Sequence, residues 1–151
     1  MRVNHRVRAL LLTHRATILL IKRVRQGDEP YWVLPGGGVE PGDGSFEAAL
    51  RRELKEELGA TAEILHEVFM TEDPGQSDLE GWLVQHHFFI CRLLGYDLSR
   101  RDGPEFLDPT KGEYIPEEFP LDPERLSAVN IFSDDIKTFL VANIARLRDY
   151  L

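Results

Sequence analysis

A helix predicted in the first half of the chain carries carboxylates on its apolar face. Residues 45–58 have helical spacing, and Gly59 follows as a residue that readily ends a helix in the left-handed conformation. At about 100° per residue, Glu53 and Glu57 fall inside the apolar arc and Glu56 lies at its edge. The arc itself consists of Phe46, Ala49, Leu50, Leu54 and Leu58. Because burial of unpaired carboxylates is unfavourable, the fold must place these glutamates where a positive charge balances them.

A divalent cation suits such a set of carboxylates. Glutamates within about one helical turn repel one another and raise their own pKa values, unless a cation lies among them. Carboxylate oxygens are good ligands for Mg²⁺ or Mn²⁺, which are also held by substrate phosphates and water. Arg52 lies one turn before Glu56, close enough to pair with it and fix its rotamer. The alternative is that the glutamates occupy this end of the helix by chance.

Three consecutive glycines, Gly36, Gly37 and Gly38, precede the helix and follow a short apolar segment, 31–34. Glycine allows a backbone to approach a ligand closely, because it has no side chain. Beside a helix that carries carboxylates, this loop is a candidate site for a metal-bound phosphate. A Walker phosphate-binding loop is excluded, because no Gly-Lys-Ser/Thr sequence follows.

At these residues the chain resembles the Nudix hydrolase family, of which MutT-like proteins are members. The second half of the family's box matches Arg52-Glu53-Leu54-Lys55-Glu56-Glu57-Leu58-Gly59, and the first half matches 35–42. The box covers about residues 37–60. It departs from the family pattern at one point, where Asp43 stands in place of glutamate and lies one residue too far from Arg52. We interpret this departure as a one-residue insertion near Asp43-Gly44.

The resemblance implies an α/β fold, an α/β/α sandwich with a mixed sheet between helices. It also implies metal-dependent hydrolysis of a nucleoside diphosphate linked to another moiety, in which activated water cleaves the pyrophosphate bond. By the same resemblance, the metal is Mg²⁺ or Mn²⁺. Its ligands are Glu53, Glu56, Glu57 and the backbone carbonyl of Gly36, and Arg52 orients the helix carboxylates. We expect Gly36, Gly37 and Gly38 to bind the substrate.

The general base is left open by the sequence. Glu53 is our candidate, but in some Nudix hydrolases the base comes from a distal loop. Here the glutamates of the proline-rich segment are the alternatives: Glu105, Glu113, Glu117 and Glu118. Several arginines and lysines lie on or beside the first two predicted strands, and Arg23, at a strand end, is the one that we expect to contact a phosphate or base.

The function also has an alternative. A Nudix-like module that binds a nucleotide as a regulatory signal without catalysis is the second hypothesis, although such modules commonly lack the glutamates that this chain retains. The box does not identify the substrate, so nucleoside triphosphates, nucleotide sugars and ADP-ribose are all open.

Composition limits the partners. The chain has 151 residues and a formal net charge of −8, which opposes binding of a nucleic-acid polymer, and its apolar runs are too short to cross a membrane. A single cysteine, Cys91, and the lack of a signal-peptide pattern predict a cytoplasmic protein. The family resemblance implies a small nucleotide as the partner. Dimers are common in the family, and the sequence does not decide between a monomer and a homodimer.

One domain, residues 1–151, is expected from the length and from the absence of repeats. Strands are predicted at 7–12, 17–24, 31–34, 61–71 and 82–94. A long proline-rich loop at about 95–125 is expected to be irregular, with one edge strand near 114–115. A single amphipathic helix is predicted at about 133–149.

Overall fold

The computed structural model describes residues 2–151, in which the chain forms seven β-strands and four α-helices. The strands are β1 (Val3–Leu12), β2 (Thr17–Val24), β3 (Tyr31–Val33), β4 (Gly36–Gly38), β5 (Ala60–Pro74), β6 (Leu83–Tyr96) and β7 (Glu113–Pro120). The helices are α1 (Phe46–Leu58), α2 (Pro123–Ser127), α3 (Asp134–Ala142) and α4 (Ile144–Arg148). None of these helices is long and apolar enough to cross a membrane.

All seven strands join one mixed sheet. Its main order is β3-β2-β1-β6-β5, with β4 paired to β1 and β7 paired to β2. The pairing of β1 with β6 is parallel, and the other pairings are antiparallel. Because β1 lies at the centre and is apolar at successive positions, its side chains supply a core on each face of the sheet.

Helices cover both faces of this sheet. On one face, α1 packs Ala49, Leu50, Leu54 and Leu58 against residues of β1 such as Leu11. On the other face, α2, α3 and α4 cover a second core that includes Leu10, Leu12 and Phe88. The expected α/β/α sandwich with a mixed sheet is confirmed.

The ends of α1 agree with the sequence signals. Ser45 caps the first turn, because its hydroxyl accepts a hydrogen bond from the Ala48 N–H at 3.1 Å. Gly59 ends the helix with a φ of 58°, in the left-handed conformation that glycine adopts without steric cost.

The C-terminal helix differs from the prediction of a single helix over about 133–149. The structure has two shorter helices, α3 and α4, separated at Asn143. The Asn143 backbone leaves the helical conformation at φ −117° and ψ 16°. Its side-chain amide donates to the Phe139 carbonyl at 2.8 Å, in addition to the backbone hydrogen bond from the Asn143 N–H to the same carbonyl, so Asn143 caps the end of α3.

The proline-rich segment is more regular than the sequence indicates. After a series of short 3₁₀ turns, β7 runs for eight residues and pairs with the full length of β2. Pro116 and Pro120 lie in this strand, and β7 accommodates them because it is an edge strand that pairs only with β2 among the described residues. The expected strand near 114–115 therefore belongs to a longer strand.

The packing of α3 can be tested by truncating one side chain. Leu140 is fully buried in the core beneath α3, whereas Leu94 is 68% exposed. We expect Leu140→Ala to lower the free energy of unfolding by about 2–5 kcal/mol, because it leaves a cavity. Leu94→Ala is the matched control and should change this free energy by about 0.5 kcal/mol or less. Urea denaturation measures both, and equal losses would contradict the layered arrangement.

Candidate active site

A cavity of about 820 cubic ångströms opens beside the N-terminal strands and α1. Glu53 and Glu57 reach it from α1, and Gly36–Gly38 lines it from β4. The proline-rich segment closes another side with Glu105 and Asp108. This volume is typical of sites that bind small molecules.

The glycine segment can lie between β1 and Glu53 only because Gly36 and Gly37 have no Cβ atom. β4 lies against β1, and a Cβ atom on Gly36 would lie 2.9 Å from the Cα atom of Arg8. Gly36 also has a φ of 146°, a backbone angle that residues with a side chain rarely adopt. A Cβ atom on Gly37 would lie 2.5 Å from both carboxylate oxygens of Glu53. The glycines therefore allow the helix carboxylates to approach the backbone of β4.

Glu57 is a buried carboxylate with little compensation for its charge. Its side chain accepts one hydrogen bond, from the Gly36 N–H at 2.7 Å. Burial raises the pKa of Glu57 to about 8, although the Gly36 hydrogen bond and the charge of Arg8 act in the opposite direction. Burial also raises the pKa of Glu53, against the effect of Arg52. Two adjacent carboxylates in this state favour a nearby cation.

Arg52 connects the turn before α1 with the helix carboxylates. Its guanidinium makes a two-pronged ion pair with Asp43, at 2.8 Å from Nε to Oδ1 and 2.9 Å from Nη2 to Oδ2. Nη2 also donates to the Gly38 carbonyl at 2.9 Å. Nη1 donates to Glu53 at 3.1 Å and to Glu56 at 3.3 Å. One side chain thus holds the glycine segment, the turn and the helix together.

Asp43 has a defined role in this structure, although its place in the box departs from the family spacing. In addition to the Arg52 pair, its Oδ2 accepts the Glu40 N–H at 2.7 Å, which closes the turn. The hydrogen bonds from Arg52 and from the Glu40 backbone lower the pKa of Asp43 to about 2. The inserted residue therefore lengthens the loop without separating the aspartate from Arg52.

The three box glutamates do not converge on a single point. Glu53 and Glu57 line the cavity, whereas Glu56 lies on Arg52 with 30% of its side chain exposed. Within residues 2–151 no group of three or more histidine, cysteine, aspartate or glutamate side chains is arranged to hold a metal ion. The carboxylates beside the glycine backbone are those of the buried Glu57 and the partly buried Glu53, while Glu105 and Asp108 line another side of the cavity. This donor set fits a hard cation such as Mg²⁺, which commonly takes one or two protein carboxylates and several waters.

Arg101 fixes the proline-rich segment to the end of α1, and the sequence did not indicate this role. Its Nε donates to the Glu57 carbonyl at 2.9 Å, and its Nη2 donates to the Tyr114 carbonyl at 2.7 Å. The guanidinium also lies 4.6 Å from the ring centroid of Phe106. These contacts bring the start of the segment, and with it Glu105, against the cavity. No local pattern distinguishes this arginine from its neighbours.

The four loop glutamates have different surroundings. Glu105 lines the cavity, and its charge adds to the factors that raise the pKa values of Glu53 and Glu57. The other three point elsewhere: Glu113 is exposed at the start of β7, Glu117 accepts a hydrogen bond from the Trp32 indole, and Glu118 binds Arg15, Thr13 and Thr17.

Basic and aromatic side chains line the remaining wall. Arg6, Arg8 and Arg23 all reach the cavity. The Arg23 guanidinium lies 3.7 Å from the ring centroid of Tyr114 and donates to the Lys111 carbonyl. Sequence reasoning selected Arg23 but missed the aromatic residues that line the same cavity, which are Tyr31, Tyr114 and Phe132.

Comparison with known proteins shows that the chain is similar to one family model and to several named enzymes. The family model described as NUDIX domain matches residues 3–131. A protein named "Putative 8-oxo-dGTP diphosphatase" from Bacillus subtilis (strain 168) is 39% identical over 96 residues, which are 64% of this chain and 57% of that protein. An RNA pyrophosphohydrolase from Erythrobacter litoralis (strain HTCC2594) is 27% identical over 112 residues, covering 64% of this chain and 68% of its own.

Solved structures show the same fold. A NUDIX hydrolase from Nitrosomonas europaea superposes with a TM-score of 0.68 at 19% identity, covering 99% of this chain and 90% of its own. The MutT protein from Methanosarcina mazei Go1 gives a TM-score of 0.67 at 18% identity, covering 97% and 96% of the two chains.

The Arg52–Asp43 pair makes stability depend on acid pH. Because the pKa of Asp43 is lower in the folded chain than in the unfolded chain, the ionised pair stabilises the fold above about pH 4, and this contribution disappears as the pH falls towards 2. We expect Asp43→Asn to be less stable than the wild type at pH 7, with the difference shrinking between pH 4 and pH 2. Denaturation at several pH values measures it.

Asp28→Asn is the matched control, because Asp28 is exposed in a turn. Its stability should follow that of the wild type at every pH. A pH-independent difference for Asp43→Asn would contradict the ion pair.

Proposed function

Because this chain belongs to the NUDIX domain family, we propose that it is a metal-dependent hydrolase of a nucleoside diphosphate linked to another moiety. The observation that carries the proposal is the pair formed by the buried Glu57 and the partly buried Glu53, which lies beside the glycine segment in a cavity that also contains arginines. Relatives named as a diphosphatase and a pyrophosphohydrolase support it. The matched region spans 57% of the first of these relatives.

The proposed metal is Mg²⁺ or Mn²⁺. Glu53 and Glu57 would hold it, and Glu56 and the Gly36 carbonyl are the further ligands in our proposal. When bound, the ion neutralises charge on phosphate oxygens and lowers the pKa of water. The raised pKa values of the two cavity glutamates support this assignment, because their main cause is burial and a bound cation would offset the cost of burying the charged carboxylates.

The chain's own residues would bind the phosphates and move one proton. Arg6, Arg8 and Arg23 supply positive charge for the phosphate oxygens, and Gly36–Gly38 leaves room for the phosphates beside β4. The oxygen of a water molecule forms a bond to phosphorus while the bond from phosphorus to the bridging oxygen breaks. The proton of that water passes to a carboxylate, and each product retains one phosphate group of the cleaved bond.

Glu105 is our proposed general base. Glu53 accepts a hydrogen bond from Arg52 and is assigned to the metal, so its oxygens would already be engaged when the water loses its proton. Glu105 lines the same cavity and, among the four loop glutamates, is the one that does so.

The partner in our proposal is a small nucleotide, not a nucleic-acid polymer. The net charge of −8 opposes binding of a long polyanion, whereas the cavity concentrates arginines at one point. We also propose a cytoplasmic location, for which the free and buried Cys91 is the supporting observation.

Replacing Glu57 with glutamine tests the metal assignment. We expect Glu57→Gln to abolish Mg²⁺-dependent release of nucleoside monophosphate, because the neutral amide is a poor ligand for the ion. Without metal, its melting temperature should equal or exceed that of the wild type, since an amide is easier to bury than a carboxylate. Added Mg²⁺ should raise the melting temperature of the wild type and leave that of the variant unchanged.

Glu47→Gln is the matched control, because Glu47 is exposed on the same helix. It should retain both the activity and the Mg²⁺ response. Full activity in Glu57→Gln would overturn the proposed function.

Replacing Glu105 with glutamine tests the proposed base. We expect kcat to fall by about 10²–10⁴-fold with little change in KM, because the proton acceptor is lost while the phosphate contacts stay. Glu113→Gln is the control and should keep its kcat within a factor of about two. An unchanged kcat in Glu105→Gln would return the role to Glu53. Steady-state kinetics with Mg²⁺ measures all three enzymes.

A further inference from the structure

A second cavity of about 470 cubic ångströms adjoins the first. The two share Arg8, Val33 and Phe132 among their lining residues, so they form neighbouring parts of one cleft. The second cavity lies between the end of β5, with the turn that follows it, and the first turn of α3. Neither the family box nor the proposed catalytic residues extend into it.

Arg8 lies at the junction and makes no direct ion pair, although the charges of Glu57 and Glu53 act on it from a longer distance. Its side chain is largely buried, which lowers the pKa of Arg8 to about 10 and still leaves it charged at neutral pH. In the described part of the chain, its hydrogen bonding is limited to a long contact of 3.5 Å with the Leu34 carbonyl, and no carboxylate lies within 4.0 Å. A buried guanidinium without a partner is unfavourable unless an anion binds to it. This arginine therefore indicates a phosphate position between the two cavities.

Beyond Arg8, the second cavity is unsuited to phosphate. It carries three carboxylates, from Asp73, Asp134 and Asp135, and among its lining residues no other lysine or arginine balances them. Burial, with Arg8 and Arg6, lowers the pKa of His86 to about 4, so its imidazole is neutral at neutral pH. An anionic group placed here would be repelled.

The same cavity is well suited to hydroxyl groups. Carboxylates accept hydrogen bonds from hydroxyls, and Thr71, Gln76 and Ser133 add further donors and acceptors along its wall. Phe132 is the one aromatic side chain among its lining residues other than His86. The first cavity is more aromatic, since Tyr31 and Tyr114 line it in addition to the shared Phe132, and aromatic side chains of this kind can stack on a nucleobase.

We propose that the second cavity binds the sugar of a nucleoside diphosphate sugar, with the diphosphate at Arg8 and the nucleoside in the first cavity. This inference rests on the proposed function and narrows its substrate. Water adds across the bond from phosphorus to the bridging oxygen, so the products are a nucleoside monophosphate and a sugar phosphate. A nucleoside triphosphate would leave the second cavity unused.

The test places a larger side chain in the second cavity and compares the hydrolysis of nucleotide sugars with that of nucleoside triphosphates. Thr71 lines this cavity, whereas Thr61 is exposed on the same strand and provides the matched control. The probes are ADP-ribose, ADP-glucose and UDP-glucose on one side and the four common nucleoside triphosphates on the other, each with Mg²⁺. Phosphorus NMR identifies the products, and steady-state kinetics gives kcat and KM.

We expect the wild type to favour at least one nucleotide sugar over every triphosphate by about tenfold or more in kcat/KM. Thr71→Phe should raise KM for that nucleotide sugar by about tenfold and keep triphosphate hydrolysis within a factor of about two. Thr61→Phe should leave both unchanged.

Asp134→Ala is a second variant, chosen because Asp134 is exposed. The loss of a hydroxyl acceptor should raise KM for the nucleotide sugar severalfold, whereas Asp78→Ala, in an exposed turn outside the cavity, should not. A lower KM in Asp134→Ala would mean that the occupant is anionic and would overturn the proposal.

Different outcomes contradict the second-cavity assignment and the proposed function. Hydrolysis of triphosphates but of no nucleotide sugar, or an equal effect of Thr71→Phe on both classes, overturns the second-cavity assignment and leaves the proposed function intact. A wild type that hydrolyses none of the probes with Mg²⁺ contradicts both.

Discussion

The hydrogen bond from the Gly36 N–H to the buried Glu57 carboxylate is the constraint around which the site is built. It places a carboxyl group between the apolar face of α1 and the backbone of β4, where burial raises its pKa to about 8 despite the Gly36 hydrogen bond and the charge of Arg8. Close approach is possible because Gly36 and Gly37 lack side chains. The helix supplies the carboxylates, the glycine segment allows them to approach the backbone, and the proposed cation would offset their charge.

Two arginines extend this arrangement to residues that are distant in sequence. Arg52 holds the turn at Asp43 against the helix, and this explains how a box with an unusual spacing still closes around its carboxylates. Arg101 ties the proline-rich segment to the last turn of α1 and to β7. Both use a guanidinium with several fixed donors, which suits the joining of backbone and carboxylate groups from separate segments.

Charge is distributed unevenly along the cleft, and this distribution is the basis for narrowing the substrate. The first cavity has four basic side chains beside four carboxylates, whereas the second has three aspartates and only Arg8 as a charged base among its described lining residues. A phosphate group is attracted to the first region and repelled from the far end of the second. The overall charge of −8 therefore conceals a local gradient that favours a substrate with a charged centre and a neutral, hydroxyl-bearing end.

The sequence by itself determined the features that depend on local periodicity. Helical spacing with a capping serine and a terminal glycine placed α1, and the same spacing put Glu53 and Glu57 on its buried face. Tertiary structure alone decided which distant groups join them: Glu105 among four loop glutamates, Arg101 as an anchor, and the second cavity next to Arg8. These depend on how β7 and α3 return to the sheet, and the long-range contacts that guide such paths leave no periodic signal in the chain.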